Sequence, residues 1–219
     1  MLTWLLLSAL AAAEPAPLPA ADAPGSVQPL RRWDVEHLDL AVDLDIDAGR
    51  VTGTTTPRVV PLARPYPSIR LDQVGLDITA VSVDGKATDF TVSDTHVEVP
   101  LTPGQPHEVT IAFAAEPELG LHFRRPGEDG ARVREAWTQG ENEDHRYWFP
   151  SWVHPTDLFS VSVAVTADDD LVAVANGTLK GTEPAGAGRT TWRFELEQQI
   201  VIYLVVVAVG EYQTRELAG

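Results

Sequence analysis

The stretch W-D-V-E-H-L-D-L-A-V-D-L-D-I-D, residues 33 to 47, is the part of the sequence that decides the fold class. From Leu38 to Ile46 every second residue is large and apolar, and aspartate or alanine occupies each position between them. Successive side chains of a β-strand point to opposite faces of a sheet. This alternation therefore predicts a strand with one buried face and one face in water.

Similar runs recur along the chain at intervals of about 10 residues, with turn-forming residues between them. They include V-T-G-T-T-T, L-D-I-T-A-V-S-V, H-E-V-T-I-A-F, F-S-V-S-V-A-V-T and T-T-W-R-F-E-L. The pair Asp84-Gly85 is typical of a two-residue hairpin turn. No stretch has a convincing helical periodicity. The sequence therefore predicts an all-β fold, a β-sandwich or a related pair of sheets.

Two segments depart from this pattern. The run from Ile200 to Val209 contains ten consecutive apolar residues, which is too few for a membrane-spanning helix of roughly 20 residues. We expect it to form a single central strand that is buried on both faces. Between Glu116 and Pro150 the alternation fails, so we expect a long irregular segment. Such segments on a β scaffold often carry function.

The composition limits the possible partners. The chain has 219 residues and a net charge of -16, so nucleic acids and anionic membranes would repel it and are not expected to bind. It has no cysteine, which excludes disulfides, thiolate metal ligands and cysteine nucleophiles.

The first 30 residues have the pattern of a targeting segment and a linker. Residues 1–13, M-L-T-W-L-L-L-S-A-L-A-A-A, form an apolar run that ends in small residues, as in a secretory signal peptide. We expect cleavage after Ala13 and export to the periplasm or out of the cell. Residues 14–30 are rich in Pro and Ala and predict a flexible leader. The sandwich domain is predicted over residues 31–213.

The segment T-Q-G-E-N-E-D-H-R-Y-W-F-P, residues 138 to 150, combines acidic residues with three consecutive aromatic residues. In one interpretation Glu141, Glu143 and Asp144 cap turns and pair with Arg146, while the aromatic side chains pack in the core. In another, a glutamate accepts a substrate ammonium group through charge-assisted hydrogen bonds. A glycosidase pair is disfavoured because no second carboxylate is defined across a cleft.

Other candidate residues have simpler explanations. His145 and His154 do not have a zinc-ligand spacing, so we expect surface or hydrogen-bonded histidines. The run 168–170, three aspartates, lacks the pattern of a calcium loop and predicts a solvated turn. The sequence at Asn176 fits a glycosylation sequon, but Asn-Gly favours a turn. Ser151 lacks the context of a catalytic nucleophile.

The block W-T-Q-G-E-N-E-D-H-R-Y-W-F-P-S-W-V-H-P-T-D, residues 137–157, resembles the signature of the amino-terminal domain of the aminopeptidase N family, the gluzincin zinc aminopeptidases. The flanking pieces V-E-H-L-D-L-A-V-D-L-D, L-V-A-V-A-N-G-T-L and Y-L-V-V-V-A-V-G-E-Y agree, so the resemblance runs from about Trp33 to Tyr212. It implies a saddle-shaped antiparallel β-sandwich that packs on a thermolysin-like catalytic domain.

The resemblance also implies roles for individual residues. By position, Glu141 would bind the free α-amino group of a peptide substrate, and Gln139 would line the first specificity pocket beside it. Phe149 and Pro150 would hold this loop in the sandwich. Ser151 and Val153 stand where family members often have Cys and Asp, so loop packing is expected to differ there.

The catalytic parts that the resemblance implies are not in this sequence. It contains neither the G-x-M-E-N motif nor the H-E-x-x-H zinc helix, so zinc and the catalytic residues would belong to the catalytic domain of the full enzyme. We expect the chain alone not to hydrolyse peptides, and its partners would be that domain and a peptide amino terminus. A solitary domain should then expose an apolar docking face.

Two alternatives stay open at this point. The first is a stand-alone, non-catalytic binding module for peptides or a partner protein. The second is a glycan-binding sandwich in which Trp137, Trp148 and Trp152 stack on sugar rings.

Overall fold

The computed structural model describes residues 31–62 and 66–215, except for the side chain of Asp129. The predicted signal peptide and leader, residues 1–30, lie outside the described residues. None of the described segments forms a helix that is long and apolar enough to cross a membrane.

The described residues form fifteen strands and three short 3-10 turns. The strands are β1 (Trp33–Asp45), β2 (Arg50–Pro61), β3 (Ser68–Asp72), β4 (Asp77–Val83), β5 (Lys86–Ala87), β6 (Thr91–Val92), β7 (His96–Pro100), β8 (His107–Ala115), β9 (Leu121–Arg124), β10 (Glu135–Thr138), β11 (Phe159–Asp168), β12 (Val172–Ala175), β13 (Thr178–Gly186), β14 (Arg189–Ile200) and β15 (Val207–Gly210). The 3-10 turns are Glu128–Gly130, Asp144–Tyr147 and Ile202–Leu204.

The strands form three sheets. An eight-stranded sheet has the order β13-β14-β11-β1-β2-β8-β4-β5, a four-stranded sheet has the order β12-β15-β10-β9, and a three-stranded sheet has the order β3-β7-β6. The prediction of an all-β sandwich is confirmed. One strand pair in the described residues differs from the predicted antiparallel arrangement, because β1 and β11 run parallel with His37 beside Ser160.

The core includes the alternating apolar residues that predicted the fold class. In β1 and the residue after it, Leu38, Leu40, Val42, Leu44 and Ile46 are all buried, as predicted. The neighbouring β11 has the same alternation, with every second residue buried from Phe159 onward. Burying one side chain of this size contributes about 1.5–3 kcal/mol, so these two adjacent strands supply much of the hydrophobic stabilisation.

A buried ion pair joins the start of β1 to the segment before β11. Asp157 is fully buried, and its carboxylate accepts hydrogen bonds from Nη2 of Arg31 (2.6 Å) and the backbone N–H of Val35 (3.2 Å). Arg31 also pairs with Asp34. The pair lies at the same end as the first parallel residues of the two strands, so it helps to set their register.

The hairpin at Asp84-Gly85 is confirmed. It connects β4 to β5 with Val83 opposite Lys86. Asp84 and Gly85 have φ angles of 52° and 74°. Positive φ at both central positions is the requirement of the type I′ turn that suits two-residue hairpins.

The run from Ile200 to Val209 is not a single buried strand, so that prediction is wrong. β14 ends at Ile200 in the eight-stranded sheet, the chain makes the Ile202–Leu204 turn, and β15 then joins the four-stranded sheet. Leu204 and Val206 are 47% and 42% exposed. Apolar composition does not distinguish one long strand from a crossing between two sheets.

The prediction of an irregular segment from Glu116 to Pro150 is wrong in part. β9 and β10 lie within it and pair with each other in the four-stranded sheet. Each strand has only four residues, which is too short for an alternating pattern to stand out.

β13 forms one edge of the eight-stranded sheet. All nine of its residues are exposed, and one of them is Pro184, which has no backbone N–H. Its pairing with β14 shifts register twice, after Leu179 and after Pro184.

We predict that Asp157→Ala lowers the free energy of unfolding by about 3 kcal/mol, because it removes the partner of a partly buried arginine. Urea unfolding of the whole chain measures the change. Asp89→Ala removes an exposed carboxylate and serves as the control, with an expected change within about 0.5 kcal/mol. Equal effects of the two substitutions would contradict the structural role of Asp157.

Candidate functional site

The two residues proposed to contact substrate lie together in the loop between β10 and the Asp144–Tyr147 turn. The side chains of Gln139 and Glu141 are exposed, whereas Gly140 between them is buried. Neither exposed side chain makes a hydrogen bond or ion pair within the described residues. Both polar groups are therefore available to a ligand.

The acidic residues of this loop differ in their partners. Glu143 pairs with Arg146, and Nε of Arg146 also donates to the backbone carbonyl of Glu143 (3.1 Å). The interpretation that an acid pairs with Arg146 is thus confirmed for Glu143. The side chain of Glu141, two residues earlier, has no such cationic partner within the described residues.

Backbone contacts hold both ends of the loop. The N–H of Gln139 donates to the carbonyl of Gly120 (2.9 Å), and the N–H of Asp144 donates to the carbonyl of Gly140 (3.2 Å). Gly120 has a φ of 79°, and a Cβ there would overlap the carbonyl oxygen of Asp144. The close approach of these two backbones requires glycine at this position.

Gly140 is packed against the imidazole ring of His145. A Cβ at position 140 would overlap Nε2 and would lie 2.5 Å from Cε1 and 2.8 Å from Cδ2. The backbone between Gln139 and Glu141 therefore has no room for a side chain while the ring keeps its place.

His145 is buried and held by Trp148. Nε1 of Trp148 donates a hydrogen bond to Nδ1 of His145 (2.8 Å). An indole N–H can only donate, so Nδ1 carries no proton and the neutral ring has its hydrogen on Nε2. Burial lowers the pKa of His145 to about 4, although the backbone carbonyls of Ile202 and Val205 oppose this effect. The expectation of a hydrogen-bonded histidine is confirmed.

The aromatic residues of the motif lie beneath the loop. Trp148 and Phe149 are fully buried, with ring centroids 4.5 Å apart in a T-shaped arrangement, and Pro150 is also buried. This burial agrees with the implied role of Phe149 and Pro150 in holding the loop. It also argues against glycan stacking by Trp148, since that ring has no exposed face.

The motif segment contacts all three sheets. It leaves β10 of the four-stranded sheet, and Ser151 then bridges to Asp72 at the end of β3 with backbone hydrogen bonds of 2.8 and 3.0 Å. The next strand, β11, lies in the eight-stranded sheet. The segment between β10 and β11 therefore runs from the four-stranded sheet past the end of β3 to the eight-stranded sheet.

Ser151 and Val153, the two positions that depart from the family pattern, differ in their hydrogen bonds. Ser151 is buried, and its hydroxyl has no hydrogen-bond partner within the described residues. The N–H of Val153 donates to a carboxylate oxygen of Asp72 (3.2 Å). Burial raises the pKa of Asp72, while the Arg146 guanidinium and the Val153 hydrogen bond act in the opposite direction.

The prediction of a solvated turn is confirmed for Asp169 and Asp170, which are exposed in the turn after β11, while Asp168 is the last residue of that strand. Arg134 contacts Asp168 (2.9 Å) and Asp170 (2.7 Å), and Arg189 contacts Asp168 (2.8 Å). Arg134 just before β10 and Arg189 in β14 thus form ion pairs around this turn, and the local sequence does not indicate them. In the part of the chain that the structure describes, no three histidine or acidic side chains are grouped to hold a metal ion.

The outer face of the four-stranded sheet has an apolar part beside the Arg124–Glu135 ion pair, and the Arg124 guanidinium lies 5.3 Å from the Trp137 ring. Val174, Ala208, Trp137 and His122 are direct cross-strand neighbours, and Trp137 stacks on His122 with ring centroids 5.5 Å apart. Val174 is 48% exposed, and the exposed Val206 precedes Ala208 by two residues. We call these five residues the outer apolar face. Each strand of this sheet has only four residues, so the sequence pattern did not indicate which residues form this face.

The comparisons with known proteins agree with this geometry. A family model described as the Peptidase M1 N-terminal domain matches residues 34–204. This match covers most of the chain, and the chain belongs to that family.

Two of the relatives are longer proteins that are named aminopeptidases. Aminopeptidase N of Lactobacillus helveticus is 25% identical over 185 residues, which cover 82% of this chain and 21% of that protein. Aminopeptidase 2 of Candida albicans is 26% identical over 153 residues, covering 65% and 17%. The chain therefore spans about a fifth of the length of these relatives.

Solved structures show the same fold. The M1 zinc metallopeptidase of Deinococcus radiodurans matches with a TM-score of 0.70 and 26% identity, over 82% of this chain and 42% of that chain. Yeast LTA4 hydrolase matches with a TM-score of 0.74 over 84% of this chain and 30% of that chain, at 19% identity, and so supports the fold alone.

We predict that lowering the pH from about 6.5 to about 4 destabilises the chain through His145. The unfolded histidine binds a proton in this range and the folded one does not, so the free energy of unfolding falls by about 3 kcal/mol from this group. Urea unfolding at several pH values measures the free energy of unfolding of the wild type and of His145→Asn. The asparagine retains a hydrogen-bond acceptor for Trp148 but does not titrate. Identical pH dependence in both proteins would contradict the assignment.

Proposed function

We propose that this chain is the substrate-positioning domain of an aminopeptidase N-like zinc metallopeptidase, in which Glu141 binds the α-ammonium group of the peptide. The observation that carries the proposal is the exposed carboxylate of Glu141, which pairs with no described residue and lies on a loop whose backbone is held at both ends. An aminopeptidase has to place the first peptide bond at a fixed distance from a cationic terminus. A carboxylate in a fixed position provides that reference through charge-assisted hydrogen bonds.

Gln139 would contact the first residue of the same peptide. Its amide can both donate and accept hydrogen bonds, and it carries no charge that would compete for the ammonium group. Because only the buried Gly140 separates it from Glu141, a ligand held by the carboxylate would lie close to this amide.

Zinc would belong to another part of the enzyme. The proteins that this chain resembles include zinc metallopeptidases, but the described residues offer no group of ligands that fits the ion. The contribution proposed for this chain is therefore binding and orientation of the peptide amino terminus.

The outer apolar face is the proposed docking surface for the catalytic domain. Exposed apolar patches on soluble domains often mark interfaces. β10 contributes Trp137 to this face and leads directly into the loop that carries Gln139 and Glu141. Docking here would bring the loop close to the catalytic domain.

We also propose that the protein is exported to the periplasm or out of the cell. The support is the sequence of residues 1–13, an apolar run that ends in small residues.

We predict that Glu141→Gln in the intact enzyme that carries this domain lowers kcat/KM for unblocked peptides by about 10- to 100-fold. This range corresponds to the loss of a hydrogen bond to a charged group. Steady-state kinetics with an aminoacyl reporter substrate measures the change. Glu143→Gln is the matched control, since that carboxylate pairs with Arg146, and little change is expected. Unaltered kinetics in Glu141→Gln would contradict the proposed role.

The alternative of a stand-alone module is distinguished by the mass of the native protein. An immunoblot of cell extract with antibody against residues 31–215 should show a band several times larger than 23.8 kDa. A band at or slightly below that mass would instead favour a non-catalytic binding module.

A further inference from the structure

We propose that His145 is a positioning residue whose imidazole ring sets the conformation of the Gln139–Glu141 loop. The inference rests on the proposed function, because it concerns the placement of the amine-binding carboxylate. His145 itself is buried and would not touch the peptide.

The contact with Gly140 is the first support. The edge of the imidazole formed by Cδ2, Nε2 and Cε1 lies directly against the Cα of Gly140, with no space for even a methyl group. Gly140 is bonded on either side to the two residues that carry the exposed polar groups. A displacement of this one backbone position would therefore move both Gln139 and Glu141.

The second support is that the ring is itself held in place. Trp148 donates a hydrogen bond to Nδ1, and the ring of Phe149 lies 5.3 Å from the imidazole centroid. The backbone carbonyl of His145 also accepts hydrogen bonds from the N–H groups of Trp148 and Phe149, each at 3.1 Å. A buried ring with these contacts has a single orientation, so it presents a fixed surface to Gly140.

The third support is the backbone on the other side of the turn. Asp144, the residue before His145, lies against Gly120, and Gly120 accepts the hydrogen bond from the N–H of Gln139. The contacts thus form a closed circuit from Gln139 through Gly120 and Asp144 to His145 and back to Gly140. Glu141 follows directly after this circuit.

The test uses complementary changes in size at positions 140 and 145. Gly140→Ala adds a methyl group where the ring lies, and His145→Ala removes the ring. In the intact enzyme each single variant should lower kcat/KM by at least about 10-fold, mainly through a higher KM, since small misplacements of a binding group are costly. The double variant Gly140→Ala/His145→Ala should recover at least about 5-fold relative to Gly140→Ala, because the added methyl group then has space.

A measurement on the chain alone separates this inference from the proposed function. The backbone amide resonances of residues 139–142 should shift in Gly140→Ala and return toward their wild-type positions in the double variant. If Glu141→Gln leaves the kinetics unchanged but these resonances respond as described, the proposed function fails and the positioning role of His145 stands.

Other outcomes overturn the inference. Folded single variants with wild-type resonances at residues 139–142 would show that the ring does not set the loop. Equal impairment of Gly140→Ala and the double variant would show that the methyl group and the ring do not compete for one space. If Gly140→Ala does not fold, as judged by circular dichroism, the folding of the double variant tests the contact between the ring and position 140. Its recovery of folding supports the contact, and its failure to fold contradicts it.

Discussion

The parallel pairing of β1 with β11 is the constraint on which the rest of the structure depends. Strands β2, β8, β4 and β5 extend the sheet on one side of this pair, and β14 and β13 extend it on the other. The pairing joins segments that are more than a hundred residues apart, and Asp157 reinforces it by binding Arg31 and Val35. Because β11 must begin beside β1, the segment before it runs from the four-stranded sheet past the end of β3 to the eight-stranded sheet, and this segment carries Gln139 and Glu141.

The motif before β11 separates two physical tasks within a short stretch of chain. The rings of Trp148, Phe149 and His145 are buried and exclude water, and the His145 ring lies against Gly140. Gln139 and Glu141 remain in solvent, where their polar groups can meet a ligand. An exposed carboxylate on an unsupported loop would lose conformational entropy when it binds. A loop held by buried rings has already lost that freedom on folding.

Sequence patterns predicted the parts of this fold that depend on local periodicity. The alternation from Leu38 to Ile46 predicted β1, and the pair Asp84-Gly85 predicted the hairpin between β4 and β5. Both predictions succeeded because strand pleating and turn angles are properties of neighbouring residues. The path of Ile200–Val209 between two sheets and the salt bridges of Arg134 depend on distant partners, so no local pattern indicates them. At the site, the resemblance indicated Glu141 and Gln139, but a histidine in a charged stretch did not predict a buried ring against Gly140.

The exposed edge strand β13 has a consequence for how this domain associates. A regular edge strand presents a row of free N–H and C=O groups that can template an additional strand from another molecule and so start aggregation. Pro184 removes one donor from that row, and the two register shifts against β14 distort its spacing. The widest sheet is thereby protected from intermolecular strand addition at this edge.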